Sequence, residues 1–190
     1  MKKIELIWRE VLDRGLTSPV FEQKRLATNF GLSTSTVHAA VMSLKNIGGV
    51  RITGRNFKII NFEKILLFWA THRNLVKDII YQTHVDLPVL EIEGLVDNKT
   101  IFGAYTAARY LLGEAPAEYD KVYVYGTENL FKRFPKQKGQ ANFFVLKPDP
   151  FLKSPTTSVA QTFVDIWNLS DWFAKDFLDV LKSKFYAGIL

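Results

Sequence analysis

An α+β fold in two parts is what this sequence predicts: a compact basic unit of helices closed by a β-hairpin, then a small mixed α/β domain with C-terminal helices. Three observations point to it. Between Glu22 and Asn61 a helical apolar pattern stops at Phe30-Gly31, a second helix opens at Ser33, and a short hairpin turns at Thr53-Gly54-Arg55-Asn56. The positive charge of the chain gathers in that same part. Beyond Leu87, short apolar runs alternate with helical patterns, as expected of a small sheet with helices packed on it.

The first helix is read from Ile4, Ile7, Trp8, Val11 and Leu12, one apolar stripe at helical spacing, with Gly15 as its stop. Thr17-Ser18-Pro19 makes a turn. Leu26, Ala27 and Phe30 face the core from a second helix, which Gly31 ends in the left-handed conformation. Ser33 stands where an N-cap belongs, its hydroxyl placed to accept an orphan amide of a third helix that starts at Thr34. Val37, Val41, Leu44 and Ile47 fall on the inner face of that helix, and Ser35, Thr36, His38, Ala39, Met42 and Ser43 lie on or beside its outer face.

Helix, tight turn, helix and basic hairpin in this order is the arrangement of a winged helix-turn-helix, which seats one helix in the DNA major groove and a β-ribbon on the flanking backbone. The expected partner is double-stranded DNA. Ser35, Thr36 and His38 are the candidates for base edges, and their small, mildly polar chemistry predicts limited specificity. Thr34, Lys45, Arg51, Arg55 and Lys58 are the candidates for phosphate, with Asn56 beside Arg55 at the wing tip. Helix capping accounts for one of Ser33, Thr34 and Ser35 whatever else they do, and a solvated surface is the plain alternative for His38, Arg51 and Arg55.

Charge supports that reading. Residues 1–61 hold ten Lys or Arg against four acids, a net +6 that equals the net charge of all 190 residues. Residues 62–120 hold five against nine, and residues 121–190 ten against six. A polyanion is therefore drawn chiefly to the N-terminal part. With 47% hydrophobic and 23% charged residues the composition is that of an ordinary globular chain. There is no apolar run of roughly 18 residues, and charge at Lys2, Lys3 and Glu5 comes too early for a signal peptide, so a cytoplasmic location without membrane contact is expected. The absence of Cys excludes disulfides, zinc fingers and cysteine nucleophiles, and three His (His38, His72, His84) leave little material for a metal centre.

Residues 62–86 are read as a linking segment, a long amphipathic helix over 62–82 with Ile65, Phe68, Trp69, His72, Val76, Ile79 and Ile80 on its stripe. Such a helix is suited to homodimer formation, with Phe68 and Trp69 on the shared surface; packing inside one chain is the alternative. His72, Arg73 and Lys77 make a basic edge. Residues 87–190 form the third segment: a strand near Thr100 to Phe102, a small-residue helix from Ala104 to Leu112, strands at Lys121–Tyr125 and Asn142–Leu146, and closing helices at Thr157–Leu169 and Trp172–Phe185. Between the last two strands, Lys132-Arg133-Phe134-Pro135 is a short basic segment and Lys136-Gln137-Lys138-Gly139-Gln140 a polar loop.

Leu32-Ser33 and Thr36-Val37 resemble the turn and recognition-helix start of bacterial and archaeal winged-helix regulators. Gly103-Ala104-Tyr105-Thr106-Ala107-Ala108, Val122-Tyr123-Val124-Tyr125-Gly126 and Ser158-Val159-Ala160-Gln161-Thr162-Phe163-Val164-Asp165 resemble the second domain of the abortive-infection antitoxin family (AbiEi-like) and related archaeal regulators. The resemblance covers nearly the full chain through short motifs. It implies an autorepressor whose second domain neutralises or senses something, and hence a toxin or other protein partner.

Catalytic chemistry finds little support in the residues. Gly126 at a strand end is a weak ligand signal, and no phosphate-binding glycine loop, dinucleotide fingerprint or metal-holding Asp pair is present, so no cofactor and no enzymatic activity are expected. Glu91 and Glu93 read as a solvated acidic surface, and Asp165, between Val164 and Ile166, as a capping or Lys/Arg-paired carboxylate. Two function classes stand: a DNA-binding transcription regulator, and a small nucleic-acid-processing enzyme with an accessory winged helix.

Overall fold

The computed structural model describes residues 1–153 and 155–188 of a mixed α/β chain with two sheets, divided into a unit over Met1–Arg73, joined by residues 187–188, and another over Asn74–Tyr186. Residues 154, 189 and 190 of the predicted third segment lie outside the described residues.

In the first unit, α1 (Lys3–Gly15) is fastened at its start by the Glu5 carboxylate, which accepts the Lys2 amide at 3.1 Å. Ile7, Trp8, Val11 and Leu12 are buried as the stripe requires, but Glu5 and Arg9, one turn apart, are buried as well. For Glu5 the reason is α4 (Phe62–His72), which packs against α1: the Trp69 indole N–H donates to Glu5 Oε2 at 3.1 Å, and Arg73 pairs with the same carboxylate at 3.7 Å. The helix ends at Gly15 as expected, with Leu16 capping it in the right-handed region. A Cβ there would lie 2.2 Å from Ile59 Cδ1, so any larger residue would have to displace the end of that side chain.

After the turn, Val20–Glu22 is a strand, β1, that sequence reading passed over; its exposed-buried-exposed pattern puts Phe21 inward. Helix α2 (Gln23–Phe30) follows directly and ends at Gly31 with φ +59°. Helix α3 (Thr34–Asn46) starts at the Ser33 cap, where the hydroxyl accepts the Thr36 amide at 3.2 Å, and it is tied to α1 by the Trp8 indole donating to Ala40 O at 3.1 Å. Strands β2 (Val50–Thr53) and β3 (Asn56–Ile59) form the predicted hairpin, and β1 adds to its β3 side, giving the antiparallel order β1-β3-β2.

The expected helix over 62–82 is corrected by the structure. Helix α4 stops at His72, a 3-10 turn covers Leu75–Asp78, and Ile79–Thr83 is a strand, β4. Two β-branched residues in sequence favour the sheet once a partner strand exists, and tertiary pairing overrode the apolar helical period. Trp69 is fully enclosed within its own unit and Phe68 packs edge-on against Trp8 at 5.0 Å, so the surface expected to be shared between subunits is internal at Trp69. Arg73, 4% exposed and paired with Glu5, is not part of a basic edge.

The second unit continues with α5 (Val89–Gly94), β5 (Ile101–Gly103), α6 (Ala104–Leu112), β6 (Val122–Tyr125), α7 (Asn129–Arg133), β7 (Phe143–Leu146), α8 (Val159–Trp167) and α9 (Ala174–Phe185). Its sheet has the order β4-β7-β6-β5, with β6 and β7 parallel and the other neighbours antiparallel. Both faces are covered, as the unbroken burial of β6 requires. Val122, Val124, Phe143 and Val145 pack with Ile92, Leu130 and Phe134 on one side, while Tyr123 meets Tyr105 of α6 and Tyr125 meets Asp165 of α8 on the other.

Carboxylates bonded to tyrosines run through this unit. Glu93 is buried and accepts from Thr106 Oγ1 and Tyr119 OH, both at 2.7 Å, and from the Arg109 guanidinium; it is not the solvated acid expected from the sequence. Asp171 accepts from Tyr105 OH at 2.8 Å and from Lys121, and the buried Asp165 from Tyr125 OH at 2.5 Å, a partner the sequence reading of a capping or Lys/Arg-paired carboxylate did not include. The polar loop is fastened too: the Gln137 amide donates to Thr83 Oγ1 at 2.9 Å, and His84 Nδ1–H to Gln140 O at 3.0 Å.

These burials have a consequence at high pH. Burial raises the pKa of Tyr105, Tyr119 and Tyr123 well above the ordinary tyrosine value, the hydroxyl bonds to Asp171 and Glu93 raise the first two further, and the charges of Asp171 and Asp120 raise Tyr123. A folded-state pKa above the unfolded one means that the unfolded chain loses these protons first, so stability is intact below about pH 10 and declines above it. In an absorbance titration of the seven tyrosines, these three should ionise only as the second unit unfolds. Ionisation of all seven while the circular dichroism stays native would contradict it.

Candidate nucleic-acid interface

Helix α3 advances about 100° per residue, which sorts its exposed side chains into three strips. Thr34, His38 and Lys45 share one flank; Ser35, Ala39 and Met42 occupy the middle; Thr36 and Ser43 form the far flank, and Val37, Ala40, Val41 and Leu44 are buried opposite. Thr34, Ser35, His38 and Lys45 are exposed. Thr36 is half-buried and its hydroxyl lies 2.8 Å from Ser33 Oγ, which also meets Ser35 Oγ at 2.9 Å. Thr36 thus belongs to the helix cap as well as to the outer face.

The three-stranded sheet has one face inward, through Phe21 and Phe57, whose rings stack at 5.3 Å, and one face outward. On the outer face the register sets Val20, Lys58 and Arg51 in one row and Glu22, Asn56 and Thr53 in the next. Arg51 and Lys58 are therefore direct cross-strand neighbours of like charge, an arrangement that repels unless an anion sits on it. Gly54, with φ +60°, turns the hairpin and puts the exposed Arg55 at its tip. Among the described residues, the side chains of Lys45, Arg51, Arg55 and Lys58 have no ion-pair partner.

Gln23 joins the two parts, and nothing in the sequence pattern singled it out. Its backbone amide donates to Arg55 O at 3.2 Å, and its side-chain Oε1 accepts from His38 Nδ1 at 3.2 Å. Beside it a shallow cleft of about 220 Å³ is lined by Arg14, Val20, Phe21, Glu22, Arg25, Leu26 and Asn56. Arg14 is held there by Glu10 at 3.1 Å and lies over the Phe21 ring at 5.5 Å. For β1 the apolar β-formers Val20 and Phe21 were the available signal; the Gln23–His38 contact spans fifteen residues and had none.

The charge balance follows the structural units. Residues 1–73 hold twelve Lys or Arg against five acids, net +7, and residues 74–190 thirteen against fourteen, net −1. Among the described residues no group of His, Asp and Glu is arranged to hold a metal ion, and no helix is long and apolar enough to cross a membrane. Compared with models of known families, with curated proteins and with solved structures, the chain gives no match.

Proposed function

We propose that residues 1–73 are a winged helix-turn-helix that binds double-stranded DNA, and that the protein is a transcription regulator. The observation that carries this reading is the pair Arg51 and Lys58, opposed on the outer face of the sheet without an acidic partner, next to a hairpin tip bearing Arg55. Phosphates would remove that repulsion, and the exposed strip of α3 supplies small polar groups for the groove. Ser35, His38 and Ala39 are the base-facing positions; Thr34, Lys45, Arg51, Asn56, Arg55 and Lys58 hold the backbone. The resemblance to abortive-infection antitoxins extends the proposal to an autorepressor whose second unit engages a toxin, for which co-purification with the neighbouring gene product is the test.

DNA binding is tested by fluorescence anisotropy with genomic duplexes at several salt concentrations. The double variant R51A/R55A should weaken binding to every duplex alike and flatten the log-log salt dependence by roughly 0.9 per lost phosphate contact. An unchanged slope removes the wing from the interface, and no binding by the unaltered protein to any duplex overturns the proposal.

A further inference from the structure

We infer that the loop after α7 is a second phosphate-binding surface, on which Lys136 and Lys138, with Lys132 beside them, hold the backbone of double-stranded DNA. This rests on the DNA-binding proposal above and extends it to contacts outside residues 1–73.

Charge within the second unit is divided. Residues 129–148 hold Lys132, Arg133, Lys136, Lys138 and Lys147 and no acid, net +5. The rest of residues 74–190 holds eight Lys or Arg against fourteen acids, net −6, so the near-zero balance of the unit conceals one cationic segment in an acidic chain. Lys132, Arg133, Lys136 and Lys138 are all exposed. Arg133 is committed to Leu95 O, but among the described residues the side chains of the three lysines have neither an ion pair nor a hydrogen bond. Elsewhere in the same unit cations are paired, Lys121 with Asp171 and Arg109 with Glu93.

A polar surface loop of this composition is ordinarily mobile. This one is held by three residues at the end of β4 and just past it. Tyr81 OH donates to Phe134 O at 2.7 Å. The buried Thr83 hydroxyl accepts the Gln137 amide at 2.9 Å and shares its proton between His84 O and Pro135 O, each at 3.2 Å. His84 Nδ1–H donates to Gln140 O at 3.0 Å, and its ring packs on Gly139, where φ is +138° and a Cβ would come within 2.8 Å of His84 Cγ. Every one of these bonds ends on loop backbone, so the chain is fixed while the loop side chains stay free. The backbone of Lys136 and Lys138, on either side of the anchored Gln137, is therefore set before a partner arrives, and chiefly side-chain freedom is left to lose on binding.

Three unpaired cations spread over residues 132–138 suit a partner that carries negative charge at regular intervals, and the partner already proposed for the wing has that chemistry in its phosphodiester backbone. Contacts of this kind position a duplex without reading its sequence.

The test uses the full chain and fluorescence anisotropy at several salt concentrations. K136A/K138A should bind every duplex more weakly and flatten the log-log salt dependence by roughly 0.9 per lost phosphate contact, and its combination with R51A/R55A should flatten it further. K99A/K175A removes the same charge from exposed lysines elsewhere in the unit and should leave the slope unchanged. All four lysines are at the surface, so the variants should melt with the unaltered protein. In the free protein the Gln137 amide should be protected from hydrogen exchange. A slope that K136A/K138A leaves unchanged, a slope that K99A/K175A flattens equally, or a Gln137 amide exchanging at the solvent rate overturns the inference while leaving DNA binding by the wing standing. Failure of the unaltered protein to bind any duplex overturns both.

Discussion

Replacing Trp69 by alanine should lower the unfolding free energy of the N-terminal unit by about 3–5 kcal/mol, the usual cost of deleting a fully buried indole. Trp69 has no solvent exposure, and its N–H is a donor to the buried Glu5 carboxylate. Alanine therefore leaves a cavity between α1 and α4 and takes a hydrogen bond from a charge that also holds Arg73. Trp69→Phe separates the two contributions, because the ring remains and only the donor is lost; about 1–3 kcal/mol is expected. Trp172 is 80% exposed, and its change to alanine should fall within about 0.5 kcal/mol of neutral. Urea unfolding followed by circular dichroism measures all three. A loss below that of Trp172→Ala would mean that α4 does not pack on α1.

The second large effect is expected at Glu93. Its carboxylate takes hydrogen bonds from Thr106, Tyr119 and Arg109, so Glu93→Ala strands three donors at once, one of them cationic. Breaking a buried ion pair from one side costs about 3–5 kcal/mol, because the remaining charge keeps its desolvation penalty without its partner. Arg109 is 27% exposed in its side chain and recovers part of its hydration, which places the effect toward the lower end of that range. Glu93→Gln keeps an acceptor for Thr106 and Tyr119 and should lose less. Thermal unfolding of the two variants gives the order, and an alanine variant as stable as the glutamine one would show that the carboxylate is not the centre of the network.

The N-terminal elements were legible because their signals are local. Gly31 can take the left-handed conformation freely, Ser33 is a short acceptor beside an orphan amide, and Thr53-Gly54-Arg55-Asn56 turns a hairpin through the freedom of Gly54. Each depends on a few neighbouring residues. Of the nine candidate contact residues, the exposure of Thr34, Ser35, His38, Lys45, Arg51, Arg55, Asn56 and Lys58 followed from that local periodicity, and Thr36 alone is half-buried by its place in the cap. The helix expected over 62–82 fails at its second half for the opposite reason: Ile79-Ile80-Tyr81 is apolar in any period, and pairing with Val145 and Leu146, more than sixty residues on, decides for strand.

From its residues alone the chain determined where charge collects, where the short turns and caps fall, and which helix turns its polar side outward, since these are properties of composition and nearest neighbours. Tertiary structure decided that β1 joins the hairpin, that Glu5, Arg9 and Arg73 are buried and Glu5 is bonded to Trp69 of α4, that Glu93 and Asp165 are bonded to tyrosines inside the second unit, and that Gln23 meets His38. The physical reason is shared by all four. A polar side chain has the same appearance in sequence whether it is solvated or satisfied by a distant donor, and a strand edge or a buried carboxylate acquires its partner only when packing brings remote segments within hydrogen-bond distance.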